Sequence, residues 1–390
     1  MEFRFPLRQH VGAPCIAVVK VGEEVKRGQR IAEPNGLGAN IHSSVNGKVV
    51  SVNENEIIIE ADENQPKEYL PIKDTSDPLE AIMEAGIVGA GGAGFPTHVK
   101  LKTKIPGGYA IVNAAECEPI LGHNIHYLEE NAKKIISGLK IIMNITEADH
   151  GIIAIKEKHK KAISKLKEAI GSENIEIRYL PDMYPAGDER VIVREFLGVE
   201  LKPGQLPSEA KAVIQNVETV KNIALAVEDR KPVIDKDVTV GGRVRNARNG
   251  AVFMDVPLGY PVKKLIEKAG GYIEPHGEIV LGGPFTGKHG EENDPVTKTL
   301  GGVLVAMPFP IDKRKFGILA CECGAQEPRL REIVEAMGGT VVAEEKCKRM
   351  TEVNGRFRCE LPGICPGQAT KVLNLKRQGA EVIIAGSCGD

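Results

Sequence analysis

The sequence predicts a multidomain α/β protein, and three observations lead to that fold class. The chain has 390 residues, which is too long for one compact core. Short β-prone runs fill roughly its first 60 residues, and strands that alternate with helices follow them. Most of its eight cysteines crowd the C-terminal end. We expect four modules: a β barrel-sandwich hybrid (1–75), a Rossmann-like α/β domain (76–230), a β-grasp domain (231–290) and a cysteine-rich α/β domain (291–390).

Composition narrows the functional classes. Apolar residues make up 42% of the chain, charged residues make up 27%, and the formal net charge is −2. No overall positive field is available to hold nucleic acid or an anionic membrane. The N-terminus lacks the apolar core of a signal peptide, and no run approaches the roughly 20 apolar residues of a membrane span. We therefore expect a cytoplasmic protein without a transmembrane segment, and homo-oligomerisation stays open.

The first module is predicted to be all-β. Its β-prone runs are Cys15–Lys20, Gln29–Ala32, Gly47–Val52 and Glu56–Ile59. They resemble the fold of biotinyl and lipoyl carrier domains, which need a lysine at a hairpin tip. The corresponding tip here, 42–47, contains no lysine, so we expect a structural module.

The second module is predicted to contain a parallel sheet, because strands alternate with helices. The expected elements are a short helix after Asp77, a strand at Tyr109–Asn113, a helix at about Ile125–Ile145, a strand at Ile152–Ile155, a helix at Lys156–Ile170, a strand at Ile175–Leu180 and a helix near Asp188–Leu197.

A glycine-rich run, Gly89–Gly94, separates the first helix from the first strand of this module. Glycines let a backbone approach a ligand closely and leave N–H groups free to bind phosphate oxygens. The run matches neither the dinucleotide fingerprint nor the P-loop, and a mobile loop is the alternative interpretation.

The third module is predicted to lie between about Val233 and Gly287. It contains two strands, an amphipathic helix that ends at Gly270 and a further strand. A polar stretch, Lys288–Lys298, then leads into the cysteine-rich end.

The cysteine-rich end is predicted to be α/β and to carry redox or metal chemistry. Cys321 and Cys323 follow a predicted strand and precede a helix that has Pro328 in its first turn. The positive end of that helix's dipole is expected to lower the pKa of their thiols and to favour the reactive thiolate. Cys388 also follows a strand, and Cys359 and Cys365 are expected in a loop. Reactive dithiols, metal ligands and inert buried thiols all stay open, although no spacing matches a ferredoxin or a zinc ribbon. The candidate catalytic thiols are Cys321, Cys323 and Cys388, and the alternative metal ligands are Cys321, Cys323, Cys347, Cys359 and Cys365.

Several segments together resemble a known family. GAGGAGFPTHVKL (Gly89–Leu101), IVNAAECEP (Ile111–Pro119), YPAGDERVIVREFLG (Tyr184–Gly198) and IQNVET (Ile214–Thr219) resemble the flavin-binding subunit of respiratory complex I and the RnfC subunit of Rnf electron-transport complexes. The run at Phe5–Pro14 is similar to the N-terminus of the Rnf protein, and the β-grasp module resembles its soluble-ligand-binding domain.

The resemblance implies FMN and NADH as cofactors. The residues that it implies at the cofactor site are Gly89, Gly91, Gly92, Gly94, Lys100, Asn113, Glu116, Glu118, Gly187, Asp188, Glu189 and Asn216. Two departures matter: Ala115 and Cys117 stand where the complex I pattern has Asp and Gly, and the two ferredoxin motifs of the Rnf protein are missing from this sequence.

Within this family, the electron-transfer proteins associated with proline reductase resemble the chain most closely. The sequence stops two residues after Cys388, and we expect the natural product to continue with a selenocysteine. The implied function is electron transfer from NADH through FMN to the C-terminal thiols, and from there to a thiol- or selenol-dependent partner such as D-proline reductase. The alternatives are a non-catalytic adaptor and an iron–sulfur or zinc electron carrier.

Overall fold

A computed structural model describes residues 1–386 of the chain, so the predicted thiol of Cys388 lies outside the described residues. Within them the fold is multidomain α/β with mixed sheets. No helix of residues 1–386 is long and apolar enough to cross a lipid bilayer.

The first module consists of two small sheets with strand orders β1-β7-β6-β3 and β2-β4-β5. The strands are β1 (Glu2–Pro6), β2 (Ile16–Ala17), β3 (Glu24–Val25), β4 (Arg30–Glu33), β5 (Ile41–His42), β6 (Gly47–Val52) and β7 (Glu56–Ala61). Alternation explains β7, since Ile57 and Ile59 are fully buried between more exposed neighbours. The strand predicted at Cys15–Lys20 is ladder-paired only over Ile16–Ala17.

The second module is a parallel sheet with the order β10-β9-β8-β11, covered by helices. Its strands are β8 (Tyr109–Ala114), β9 (His150–Lys156), β10 (Ile175–Leu180) and β11 (Ala212–Asn216). Its helices are α1 (Pro78–Glu84), α2 (Thr97–Lys100), α3 (His123–Thr146), α4 (Lys160–Ile170), α5 (Glu189–Leu197) and α6 (Val217–Glu228). The predicted parallel sheet is confirmed, although the helix expected from Lys156 begins at Lys160 because Lys156 still belongs to β9.

The third module is a five-stranded mixed sheet with the order β13-β12-β16-β14-β15. Its elements are β12 (Asp235–Gly242), β13 (Ala251–Pro257), α7 (Val262–Lys268), β14 (Ile279–Leu281), β15 (Lys288–Gly290) and β16 (Gly302–Val305). Strand β16 lies between β12 and β14, so this sheet extends beyond the boundary expected at residue 290. Local pattern does not predict this pairing, because four apolar residues after a polar stretch are equally typical of a linker.

The fourth module contains a parallel sheet with the order β18-β17-β21 and a separate hairpin, β19-β20. Its elements are β17 (Lys315–Ala320), α8 (Glu327–Ala336), β18 (Thr340–Lys346), β19 (Met350–Val353), β20 (Arg356–Cys359), α9 (Ala369–Arg377) and β21 (Val382–Ala385). The loop expected at Cys359 is wrong, because this residue ends β20 opposite Met350. Cys365 does lie in a loop.

The buried side chain of Lys298, which lies between β15 and β16 of the third module, contacts the first and second modules. Lys298 is 1% exposed, and its ammonium group donates to the backbone oxygens of Asn40 and Gly86, the latter at 2.7 Å. Asn40 belongs to the first module, and Gly86 begins the segment that leads to the glycine run. Burial lowers the pKa of Lys298 to about 8.

The Lys298→Met variant tests the cost of this buried charge. The folded lysine loses its proton near pH 8 and the unfolded one near pH 10.5, so the unfolded state binds more protons in that window. The free energy of unfolding of the wild type should therefore rise relative to the variant by about 2 kcal/mol between pH 7 and pH 10. Urea titrations at several pH values measure this difference, and a gap that moves the opposite way with pH would contradict the assignment.

Candidate functional site

The glycine run forms an exposed turn whose donors are open. The turn is closed at its base by the Gly89 amide, which donates to the Phe95 oxygen at 3.0 Å. Gly91, Gly92 and Ala93 are exposed, and within residues 1–386 their amides have no hydrogen-bond acceptor. These N–H groups are therefore available to an external anion.

The turn lies against the carboxyl end of β11. A Cβ atom on Gly91 would lie 2.8 Å from Asn216 Nδ2, whereas a Cβ on Gly92 would meet no atom within 4 Å. Asn216 is itself fixed, because its Oδ1 accepts from the Glu218 amide at 2.9 Å and so caps α6. One side of the turn thus requires glycine for packing, and the other side faces open space.

A lysine bridges the helices on either side of the site. Lys100 Nζ lies 2.6 Å from Glu189 Oε1 and 2.6 Å from the Ile214 oxygen. Lys100 ends α2, Glu189 begins α5, and Ile214 lies in β11. Two of the residues implied by the resemblance, Lys100 and Glu189, are therefore a salt-bridged pair that joins α2, the helix after the glycine turn, to α5.

The Gly187 segment packs on the end of β8. Asn113 Nδ2 donates to the Gly187 oxygen at 2.8 Å, and a Cβ on Gly187 would lie 3.1 Å from Cys117 Sγ. Asp188 caps α5 by accepting from the Arg190 amide at 2.8 Å, and burial raises the pKa of its carboxyl group. The carboxyl ends of β8 and β11 hold these residues at one edge of the sheet, where ligands of parallel sheets bind.

The side chains of Glu116 and Glu118 form hydrogen bonds with α3 and with the third module, not with the glycine turn. Glu116 accepts from the Asn124 amide at 3.2 Å, near the start of α3. Glu118 accepts from the amides of Phe285 and Thr286 at 2.9 and 3.0 Å and so holds a turn of the third module. Both glutamates line a cavity of about 580 Å³ beyond the ends of β8, β9 and β10.

The residues around the turn fit a phosphate-bearing cofactor such as FMN. Beside the free amides, the buried atoms Thr97 Oγ1, His98 Nδ1 and Gln215 Nε2 have no hydrogen-bond partner. Buried polar atoms are seldom left unpaired unless a ligand or water satisfies them. The open amide donors of the turn match a phosphate group, and the unpaired atoms in the adjoining α2 and β11 match the polar edges of a flavin nucleotide.

A second candidate site, the cysteine cluster, consists of four thiols in the fourth module. Cys321 is hydrogen-bonded to the thiols of Cys323 and Cys347, and Cys323 is also bonded to Cys359. They line a cavity of about 110 Å³ that Cys365 also borders. Within residues 1–386, no group of three or more His, Cys, Asp or Glu side chains has an arrangement suited to a metal ion. The cysteines therefore stay candidate redox groups, and their role as metal ligands stays a prediction.

Hydrogen bonding sets the acidity of these thiols. The hydrogen bond from the Cys323 thiol is the largest influence on the pKa of Cys321. Together with hydrogen bonds from the Cys347 thiol and nearby amides, it holds this pKa well below its ordinary value. The Cys323 thiol also lowers the pKa of Cys359 to about 7. The helix dipole invoked from the sequence is not needed, because α8 begins only at Glu327.

Arg190 connects the candidate cofactor site to the cysteine cluster, and no sequence motif predicts this role. Its guanidinium donates to the Cys359 oxygen at 2.6 Å and to a Glu322 carboxylate oxygen at 3.2 Å. That carboxylate also accepts from the Cys359 amide. Arg194, one turn later in α5, donates to the Pro362 oxygen at 2.8 Å. Helix α5 therefore touches the candidate cofactor site at its N-terminus and the cysteine cluster along its side.

Comparison with known proteins identifies the family of the chain. The Nuo51 FMN-binding domain matches residues 82–225, and the RnfC barrel-sandwich hybrid domain matches residues 1–66. The RnfC-type component of the proton-translocating ferredoxin:NAD(+) oxidoreductase complex of Clostridium ljungdahlii is 36% identical over 322 residues, which are 77% of this chain and 69% of that protein. The chain belongs to the RnfC family.

Other relatives extend the family. The corresponding component of the Na(+)-translocating complex of Acetobacterium woodii is 34% identical over 77% of this chain and 72% of its own length. Cobalamin reductase PduS of Salmonella typhimurium is 40% identical over 58% of this chain and 49% of its own length. A crystal structure of NAD+-reducing NiFe hydrogenase shares the fold, with a TM-score of 0.51 and 21% identity over 59% of this chain and 47% of that one. This RnfC-family chain thus spans about half of the latter two proteins.

The Gly92→Ala variant tests whether the open side of the turn faces a ligand. The new methyl group meets no protein atom within 4 Å, so the free energy of unfolding should change by less than about 0.5 kcal/mol. FMN affinity should fall at least about tenfold, because the methyl group occupies space needed by the phosphate. Fluorescence titration measures the affinity. Unchanged FMN binding in a folded variant would show that the ligand does not approach this side.

Proposed function

We propose that this RnfC-family chain is an electron-transfer subunit that binds FMN at the glycine turn, accepts electrons from NADH and passes them to the cysteine cluster. The observation that carries the proposal is the position of α5 and the segment before it. Gly187, Asp188 and Glu189 belong to the candidate FMN site, and Arg190, the next residue, holds the backbone of Cys359. The short segment 187–190 therefore contacts both the candidate FMN site, which is the electron donor, and the cysteine cluster, which is the electron acceptor.

The chain's own residues have distinct roles in this proposal. The amides of Gly91, Gly92 and Ala93 bind the phosphate, and Lys100, through its salt bridge with Glu189, holds α2 against α5. Asn113 fixes the Gly187 segment against the sheet. When bound, FMN supplies the exchange of two electrons between a nicotinamide and an acceptor.

The acceptor side depends on the thiols. Cys321 and Cys323 are half-buried, and the lowered pKa of Cys321 favours the nucleophilic thiolate at neutral pH. A thiolate of this kind exchanges with a partner's disulfide. We therefore propose a thiol- or selenol-dependent reductase as the electron acceptor, with D-proline reductase as the candidate class and with Cys388 as a further thiol for the exchange. The relatives that are named as components of ferredoxin:NAD(+) oxidoreductase complexes support a multi-subunit setting for electron transfer by this chain.

The Arg190→Gln variant tests the connection between the two clusters. In FMN-loaded protein whose cysteines have first been oxidised to disulfides, anaerobic addition of NADH should bleach the flavin band of the variant as it does that of the wild type. Reduction of the cysteines should slow by about tenfold or more, because Cys359 and Glu322 lose the guanidinium that holds them against α5. Stopped-flow absorbance follows the flavin, and timed alkylation with mass spectrometry follows the thiols.

Arg178→Gln is the matched control for this experiment. Arg178 lies in the same domain and donates to the Phe196 oxygen, away from the cysteines. It should leave both steps unchanged. If Arg190→Gln reduced its cysteines at the wild-type rate, the proposed route would be wrong, and if neither protein bound FMN, the whole proposal would fail.

A further inference from the structure

Four cysteines are arranged as a continuous row rather than as isolated pairs. The Cys347 thiol is hydrogen-bonded to Cys321, the Cys321 thiol to Cys323, and the Cys323 thiol to Cys359. The two outer cysteines are buried, at 7% and 5% exposure, and the two inner ones are half-buried. A row of four thiols can hold two disulfides at once only if each outer cysteine pairs with its inner neighbour.

The first pair spans two adjacent strand ends. Ala320 and Lys346 are the last paired residues of the parallel strands β17 and β18, and the Cys347 amide donates to the Ala320 oxygen at 2.9 Å. Cys321 and Cys347 are therefore opposite each other, one position further along. Neighbouring strands are about 5 Å apart, which lies within the Cα separation of a disulfide.

The second pair is held by a carboxylate. Glu322, between the two inner cysteines, accepts from the amide of Cys359 and from Arg358 at 2.7 Å. Arg190 binds the same carboxylate. Glu322 thus fixes the end of β20 beside Cys323.

We propose that these cysteines form two disulfides, Cys321–Cys347 and Cys323–Cys359, that exchange electrons through the contact between Cys321 and Cys323. The inference deepens the proposed function, on which it rests only for the source of the electrons. In each oxidation two protein thiols react with a partner disulfide, and the products are one protein disulfide and two partner thiols.

The exchange between the pairs is also balanced. Once Cys323 and Cys359 are reduced, Cys323 passes its proton to the Cys359 thiolate to which it is hydrogen-bonded. The Cys323 sulfur then attacks Cys321, forms a Cys321–Cys323 bond and releases Cys347, which takes up a proton. The Cys359 thiolate then attacks Cys323 and releases Cys321. Two electrons and two protons have moved from the pair beside Arg190 to the pair at the strand ends.

Gln368 lies at the outer end of this row. Its Nε2 donates to Cys347 Sγ at 2.9 Å, whereas the hydrogen bond with Cys321 and burial together raise the pKa of Cys347. The Gln368 side chain therefore fixes Cys347 at the strand ends, at the far end of the row from Arg190.

Thiol counting with disulfide mapping tests the pairing without any flavin. Full-length protein is reduced with dithiothreitol, equilibrated anaerobically with oxidised glutathione, alkylated and digested for mass spectrometry. Free thiols of the wild type should fall from eight to four, with Cys321–Cys347 and Cys323–Cys359 as the bonds. Cys347→Ser should lose only two thiols, and the control Cys15→Ser, in the first module, should lose four.

The Cys359→Ser variant tests the exchange. It lacks the thiol that resolves the Cys321–Cys323 bond, so both this bond and Cys321–Cys347 should be found, whereas Cys15→Ser should show no Cys321–Cys323 bond. Retention of all eight thiols by the wild type, other pairings, or stoichiometric iron or zinc with protected thiols would overturn the proposal. None of these outcomes depends on FMN binding, so failure here is distinguishable from failure of the proposed function.

Discussion

The guanidinium of Arg190 is the interaction that gives the molecule its functional organisation. It belongs to α5, whose first residues form one wall of the candidate FMN site, and it is hydrogen-bonded to the backbone of Cys359 and to Glu322. Arginine suits this position because its planar donors can bind a carbonyl and a carboxylate together. This contact, together with that of Arg194 to the Pro362 oxygen, holds the fourth module against α5.

Two contacts outside α5 position the glycine turn. The glycine turn is positioned by Asn216 at the end of β11 and by Lys298, which binds the oxygen of Gly86 from within the interior. Lys298 has no acidic partner among the residues that it contacts through hydrogen bonds within residues 1–386, and its cost is offset by the two carbonyls that it satisfies. The first and third modules thus brace the turn, although neither carries the thiols.

Sequence patterns predicted the parallel sheet, the glycine turn and the start of α8, because each depends on local periodicity or on residues with special backbone freedom. They failed where a distant partner decides the structure. Strand β16 is short and is fixed by β12 and β14, and Cys359 is placed in a strand by its pairing with Met350. The orientation of Glu118 toward Phe285 and the link through Arg190 also join residues more than a hundred positions apart. No local pattern encodes such contacts.

A reductive titration tests the central claim most directly. Protein that is loaded with FMN, oxidised with oxidised glutathione and freed of the excess is titrated anaerobically with NADH, while the flavin band is recorded and thiols are counted. The account predicts that about three NADH are consumed per chain, one for the flavin and one for each of two disulfides. Consumption of a single NADH, with full bleaching of the flavin and no new thiols, would contradict it.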